Sequence, residues 1–154
     1  MDGTKWLNSD EQRAWRNYIE ATTLVLDALD RQLQQDSGMP HGYYEILVRL
    51  SEAPDRALRM SDLASHTRSS RSRLSHAVAR LEERGWVDRR DCPTDRRGQI
   101  AALTDAGLEA LAEASHGHVD AVHTHLIDQL TPAQVADLEA IGQAVINGLE
   151  QRSG

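Results

Sequence analysis

Residues 60–107 read MSDLASHTRSSRSRLSHAVARLEERGWVDRRDCPTDRRGQIAALTDAG, and the fold turns on this stretch. Ser61 stands at a capping position ahead of Leu63 and Ala64, and the helical pattern stops near Thr67. After a Ser/Arg-rich link, Leu74, Val78 and Leu81 recur at i, i+4 and i+7, and Gly85 sits where a left-handed residue closes a helix. That spacing predicts a helix from about Ser70 to Arg84. Trp86-Val87-Asp88-Arg89 then reads as a strand. Asp91 to Gly98 holds Pro93, Asp95 and Gly98 as turn formers, and Gln99 to Leu103 returns as a second strand. The expected hairpin is long-looped and carries Asp95-Arg96-Arg97-Gly98 at its tip. Just upstream, Leu58-Arg59-Met60 is too short to assign on its own.

Outward from this segment the chain is helical. Ser9-Asp10-Glu11-Gln12 has the pattern of a cap, and Trp15, Ile19, Thr22, Leu26, Leu29 and Leu33 follow at helical spacing, giving a long helix to about Asp36. Ser37-Gly38-Met39-Pro40 breaks it. Tyr43, Ile46, Leu47 and Leu50 give a shorter helix that ends before Ala53-Pro54-Asp55. On the other side, Thr104-Asp105 opens an Ala-rich helix to about Gln129, and Thr131-Pro132-Ala133-Gln134 caps a last one. The fold class is therefore mainly α with a small β-hairpin. The last helix carries one apolar stripe, Val135, Leu138, Ile141, Val145, Ile146 and Leu149, and a chain of 154 residues has nothing left to cover both it and the N-terminal stripe. Pairing of two copies through these ends covers both; the alternative is that the two stripes pack on each other within one chain.

Charge narrows the function. With 17 Lys+Arg, 24 Asp+Glu and a formal net charge of −7, a uniformly basic coat is excluded but a local patch is not. Between His66 and Ile100 nine arginines face five acids, a local +4 that leaves −11 on the rest of the chain. A short helix, a turn and a Ser/Arg-rich second helix suit a helix-turn-helix, whose second helix must offer hydrogen-bonding side chains to base edges. With Leu74, Val78 and Leu81 turned inward, Ser72, Arg73, His76, Ala79 and Arg80 fall on the outer arc, and Thr67, Ser69, Ser70 and Arg71 at the entering end. Arginines on a thin hairpin tip suit a narrow minor groove. The bland alternative, a solvated charge run, does not account for the order of helix, turn, helix and arginine-tipped hairpin.

Other classes recede. No apolar stretch approaches the roughly 20 residues needed to cross a bilayer. A single cysteine, Cys92, and the lack of a basic-then-apolar leader make the cytoplasm the expected compartment. Gly-rich phosphate loops, Gly-x-Ser-x-Gly and His-Glu-x-x-His are missing, so neither catalysis nor a cofactor is expected.

Met60-Ser61-Asp62-Leu63-Ala64, Ser72-Arg73-Leu74-Ser75, Val78-Ala79-Arg80-Leu81-Glu82 and Arg84-Gly85-Trp86-Val87 together resemble the winged helix-turn-helix of the MarR family of bacterial transcription regulators. Asp95-Arg96-Arg97, with Leu103-Thr104 and Asp105-Ala106-Gly107 behind it, is similar to that family's Asp-x-Arg wing motif. The resemblance implies one domain over 1–154, with dimerisation helices over 10–36 and 105–151 and a winged lobe over 41–103. It implies a homodimer on double-stranded DNA, reading half-sites of a pseudo-palindrome, and transcriptional control that is usually repression relieved by a small molecule. Carried over, Ser69, Ser70, Arg71, Arg73 and His76 would enter the major groove. Arg96 and Arg97 would enter the minor groove with Asp95 orienting them, and Thr67, Arg68 and Arg80 would lie against the backbone.

The expected effector pocket comprises Trp15, Arg16, Tyr18, His41, Tyr43 and Tyr44, where an Arg beside aromatics suits an aromatic carboxylate or phenol; each also reads as ordinary packing or surface. Cys92, near Arg89, Arg90 and Arg96, could have a depressed thiol pKa and act as an oxidation switch, with an inert thiol as the alternative. His116, His118, His123 and His125 lack the i, i+3 or i, i+4 spacing of a one-helix metal site and would need His41 or a second chain, so no metal is expected. The alternative to a DNA-binding regulator is a winged-helix protein-interaction module, or a metal- or redox-responsive variant of the same regulator.

Overall fold

The computed structural model describes residues 3–153. Its elements run α1 (Ser9–Ser37), α2 (His41–Glu52), β1 (Ala57–Arg59), α3 (Met60–His66), α4 (Arg71–Glu83), β2 (Val87–Cys92), β3 (Asp95–Leu103), α5 (Asp105–His125) and α6 (Pro132–Ser153), with single 3-10 turns at Pro54–Arg56 and Ile127–Gln129. The mainly helical class with a small hairpin is as expected. The chain divides into two compact units, residues 26–119 and residues 3–25 with 120–153.

The 26–119 unit is built on one apolar core. Leu33 of α1, Leu47 and Leu50 of α2, Leu63 of α3, and Leu74, Val78 and Leu81 of α4 meet Val87, Ala101 and Leu103 of the sheet and Leu111 of α5, all buried. The helical positions Leu33, Leu47, Leu50, Leu63, Leu74, Val78 and Leu81 are those the sequence reading selected, whereas Val87, Ala101, Leu103 and Leu111 were not singled out by it. Truncating one of the fully buried leucines costs about 2–5 kcal/mol.

The sheet has three strands rather than two. β3 is central and antiparallel to both neighbours, with Leu58 opposite Ala101 and Val87 opposite Leu103. β1 overlaps the unassigned stretch Leu58-Arg59-Met60, although Met60 itself opens α3: three residues carry no period, and only the free edge of β3 makes Ala57–Arg59 a strand. The hairpin loop is also tighter than expected, because both strands continue until Cys92 pairs with Asp95.

Helix ends explain the turn between α3 and α4. Ser70 Oγ accepts the Arg73 N–H at 3.3 Å and opens α4. α4 closes through Gly85 at φ +74, with Gly85 N–H donating to Glu82 O and Trp86 N–H to Leu81 O. α3 closes in the same geometry, but the left-handed residue is Arg68 at φ +50, a position that costs a non-glycine residue about 1 kcal/mol.

Three local readings need correction. Asn8, not Ser9, caps α1: its Oδ1 accepts the N–H groups of Asp10 and Glu11 while Glu11 Oε2 accepts the Asn8 N–H. Ser61 lies inside the first turn of α3, which has no side-chain cap. α5 stops at His125, since Leu126 departs from helical dihedrals and the Ile127–Gln129 turn follows. At the start of α6, Thr131 and Gln134 form the expected reciprocal pair.

In the unit of 3–25 with 120–153 Ala121 is buried and Val135 half-buried, but most of the large apolar side chains of the two stripes are uncovered. Trp15 is 56% exposed and Ile141 58%, with Ile19, Leu138, Val145, Ile146 and Leu149 also exposed. The two stripes therefore do not bury each other within one chain. Among the described residues no helix is long and apolar enough to cross a membrane.

Candidate nucleic-acid interface

α4 separates its charges along its length. Burying Leu74, Val78 and Leu81 leaves Arg71, Ser72, Arg73, His76 and Arg80 exposed. At the C-terminal end the acids are occupied. Glu83 pairs with Arg80 at 2.9 Å, which raises the Arg80 pKa further above its ordinary value. Glu82 accepts from Arg89 Nη2 at 2.7 Å, from Arg89 Nε at 3.0 Å and from the Arg89 backbone N–H at 3.2 Å. Arg89 Nη1 also donates to Ser75, so this half-buried pair fastens β2 to α4. Arg84 donates to the Gly38 carbonyl and lies 4.9 Å over the Trp86 ring. The cations of Arg71 and Arg73, at the entering end, form no ion pair among the described residues.

The wing arginines are raised by a bulge. Cys92 pairs with Asp95 and Asp91 with Gln99, so Arg96, Arg97 and Gly98 have no partner on β2. The expectation that they form the hairpin tip is corrected: Pro93 and Thr94 make the turn, and the arginines project from a bulge beside it. Asp95 Oδ1 accepts the Arg97 N–H at 3.0 Å, shaping the bulge that carries the cation. A Cβ on Gly98 would lie 3.2 Å from Asp95 Oδ2 and 3.3 Å from Cys92 Cβ, so a side chain there requires these two side chains to give by a few tenths of an ångström. Both arginines are exposed and without an ion pair among the described residues.

Thr67 is half-buried and donates its hydroxyl to Leu63 O at 2.9 Å, and Ser69 is also half-buried. Arg68, Ser70 and Arg71 line a shallow concavity with Ser61 and Ser65 at the junction of α3 and α4. Two residues next to this face were missed or placed elsewhere by sequence. Arg59, on the unassigned strand, donates to Thr94 Oγ1 at 2.8 Å and stands beside Arg71 and Arg97. Tyr43 shares a concavity with Ser72, Arg73 and His76, against α4.

The expected effector constellation is not one pocket in the 26–119 unit. Tyr43 faces α4, whereas the buried Tyr44 hydroxyl meets Ser115 Oγ at 3.1 Å and its ring lies 4.4 Å from that of His118. His41 lies 5.8 Å from His118, and its backbone N–H donates to Asp30. Trp15 and Tyr18 form an exposed ring pair, 6.5 Å apart, in the other unit, where Arg16 is exposed too.

Burial, followed by the proximity of His41, holds the His118 pKa below the ordinary histidine range, and its Nδ1 is buried without a hydrogen-bond partner among the described residues. A base with a depressed folded pKa takes its proton more readily in the unfolded chain, so acidification through about pH 6.5 favours unfolding. His118→Phe keeps the ring contact and removes this titration. Urea midpoints at pH 7.5 and pH 5 should fall less in this variant than in the wild type; equal falls would remove His118 from the acid response.

Cys92 is buried with Sγ 3.4 Å from Thr94 Oγ1. Bonds from Thr94 lower its thiol pKa against the effect of burial, and the cation acting on it is Arg59 rather than the expected Arg89, Arg90 or Arg96. Among the described residues no group of three or more His, Cys, Asp or Glu side chains could hold a metal ion.

A MarR family model matches residues 37–98, from the end of α1 to the wing bulge. The crystal structure of Sco3205, a MarR family transcriptional regulator from Streptomyces coelicolor in complex with DNA, is 57% identical. The match covers 94% of this chain and 91% of that one with a TM-score of 0.90. The chain belongs to the MarR family. AbsC, a MarR family regulator from the same organism, is 40% identical over 96% of this chain and 99% of its own, with a TM-score of 0.89. The transcriptional repressor MprA of Escherichia coli is 28% identical over 114 residues, a match that spans 64% of MprA. These MarR relatives are transcriptional regulators, not enzymes.

Proposed function

We propose that this MarR-family protein is a sequence-specific regulator of transcription that binds double-stranded DNA as a homodimer. The observation that carries the reading is the set of cations with no ion pair among the described residues, Arg71 and Arg73 on α4 and Arg96 and Arg97 on the wing, in a chain 57% identical to a regulator solved on DNA. α4 enters the major groove with Ser69, Ser70, Arg71, Arg73 and His76, and Arg97, with Arg96, enters the adjacent minor groove. Thr67, Arg68 and Arg80 lie along the phosphates. Helices over 10–36 and 105–151 pair two copies, covering Trp15, Ile19, Ile141 and Val145, and the two winged lobes read a pseudo-palindrome. Repression, the activity of the relative MprA, is the mode proposed, with release by a small molecule.

The test is a titration of the purified protein against the DNA upstream of its own gene and a scrambled fragment, at salt from about 50 to 200 mM. Tighter binding to the upstream fragment with a steep negative salt slope is expected. Weak binding, equal on both, would favour a protein-interaction module. Arg97→Ala should weaken operator binding by about 1–3 kcal/mol, roughly 5- to 150-fold, without changing the unfolding midpoint. Unchanged affinity in that variant would remove the wing from recognition.

A further inference from the structure

Arg59, Arg71 and Arg97 come from three separate elements, β1, α4 and β3, and line one groove of about 400 Å³ between α4 and the wing. Ser61 and Ser75 add hydroxyls to its walls, and Asp95 is the one acid that lines it. Asp95 has already committed Oδ1 to the Arg97 N–H, and three fixed guanidinium charges outnumber it. None of the three arginines has an ion pair among the described residues; the hydrogen bond of Arg59 goes to the neutral hydroxyl of Thr94. Like charges converging in excess of the one nearby acid repel one another, and an anion seated among them turns that repulsion into attraction.

The position of the groove says which anion. If α4 lies in a major groove and the wing in the minor groove beside it, the DNA strand that separates the two grooves passes between α4 and the wing. We propose that this groove seats one backbone phosphodiester of that strand, and that Arg59 is its third cationic ligand. The inference rests on the DNA-binding reading above. Thr94 parks the Arg59 side chain in the free protein and leaves its charge available.

Operator and scrambled fragments are titrated with the wild type, Arg59→Gln, Arg59→Lys and Thr94→Val over the same salt range. Each copy of Arg59→Gln loses one phosphate contact, so for a dimer the salt slope should fall in magnitude by about 2, with about thirtyfold weaker binding near physiological salt. The loss should be the same on both fragments, because a phosphate carries no sequence. Arg59→Lys and Thr94→Val, which keep the cation, should keep the wild-type slope; losing it in both would mean that Arg59 acts by shaping the wing. An unchanged slope in Arg59→Gln, or a loss confined to the operator, would overturn the assignment while leaving DNA binding intact. A wild type that binds neither fragment would overturn the DNA reading itself. Inorganic phosphate titrated into DNA-free protein at constant ionic strength separates the remaining source. Saturable binding lost in Arg59→Gln, with the DNA slope unmoved, would assign the groove to a free anion instead.

Discussion

Replacing Gly107 with alanine is expected to destabilise the protein by about 3 kcal/mol or more, lowering the thermal midpoint by roughly 6–12 °C. A Cβ at this position would lie 2.1 Å from the Trp86 carbonyl oxygen, 2.9 Å from the carbonyl carbon and 2.7 Å from Leu103 Cδ1. Backbone cannot step aside as a flexible side chain can. That carbonyl is held from another side, since it accepts the Thr104 N–H at 3.0 Å. Thr104 Oγ1 meanwhile donates to Gly85 O at 2.7 Å and accepts the Gly107 N–H at 3.0 Å. The start of α5, the end of α4 and the start of β2 are thus one knot, and the added methyl must pull it apart. Gly42→Ala, with nothing within 4 Å of the added carbon, is the control, expected to be neutral or stabilising by up to about 1 kcal/mol. Matching midpoints for Gly107→Ala and the wild type in urea would show that this close approach does not exist in solution.

Placing glutamate at Ile141 is expected to separate the proposed dimer and, with it, to remove tight operator binding. Ile141, Val145 and Leu149 follow one another at helical spacing on α6, 58%, 52% and 57% exposed. A row of aliphatic side chains so uncovered in the single chain finds apolar surroundings only against another molecule. A carboxylate inserted there without a partner costs about 3–5 kcal/mol per copy, and symmetry applies the cost twice. The variant should sediment as a monomer at low micromolar concentration, where the wild type sediments as a dimer. Operator affinity should drop at least about 100-fold, because half-sites are then bound singly. A wild type that is itself monomeric, or a variant that keeps both mass and affinity, would take α6 out of the interface.

Most helices were legible because their cores and caps are local. Leu74, Val78 and Leu81 announce α4 by spacing, Gly85 marks its end and Thr131 with Gln134 marks the start of α6. The family, too, was legible in residues 60–107, and the matched model covers 37–98. Where local signals tie, reading slipped by a residue. Asn8 and Ser9 are both capping types, and only the bonds made by Asn8 Oδ1 choose between them. Within the 26–119 unit the expected effector residues Tyr43 and Tyr44 do not share one pocket. Adjacent residues on a helix point about 100° apart, so Tyr43 and Tyr44 face different surroundings.

Sequence by itself determined the order of helices, the apolar positions of the core and the concentration of arginine between residues 66 and 100, since periodicity and charge are properties of neighbours along the chain. Tertiary structure decided which of those arginines remain without an acidic partner. Arg89 and Arg80 are taken by Glu82 and Glu83, while Arg71, Arg96 and Arg97 are left exposed, and no count of charges distinguishes them. It also decided that Arg59 joins them. A strand of three residues exists only because β3 offers it an edge, and pairing across an edge depends on residues about forty positions away that spacing within the strand cannot register.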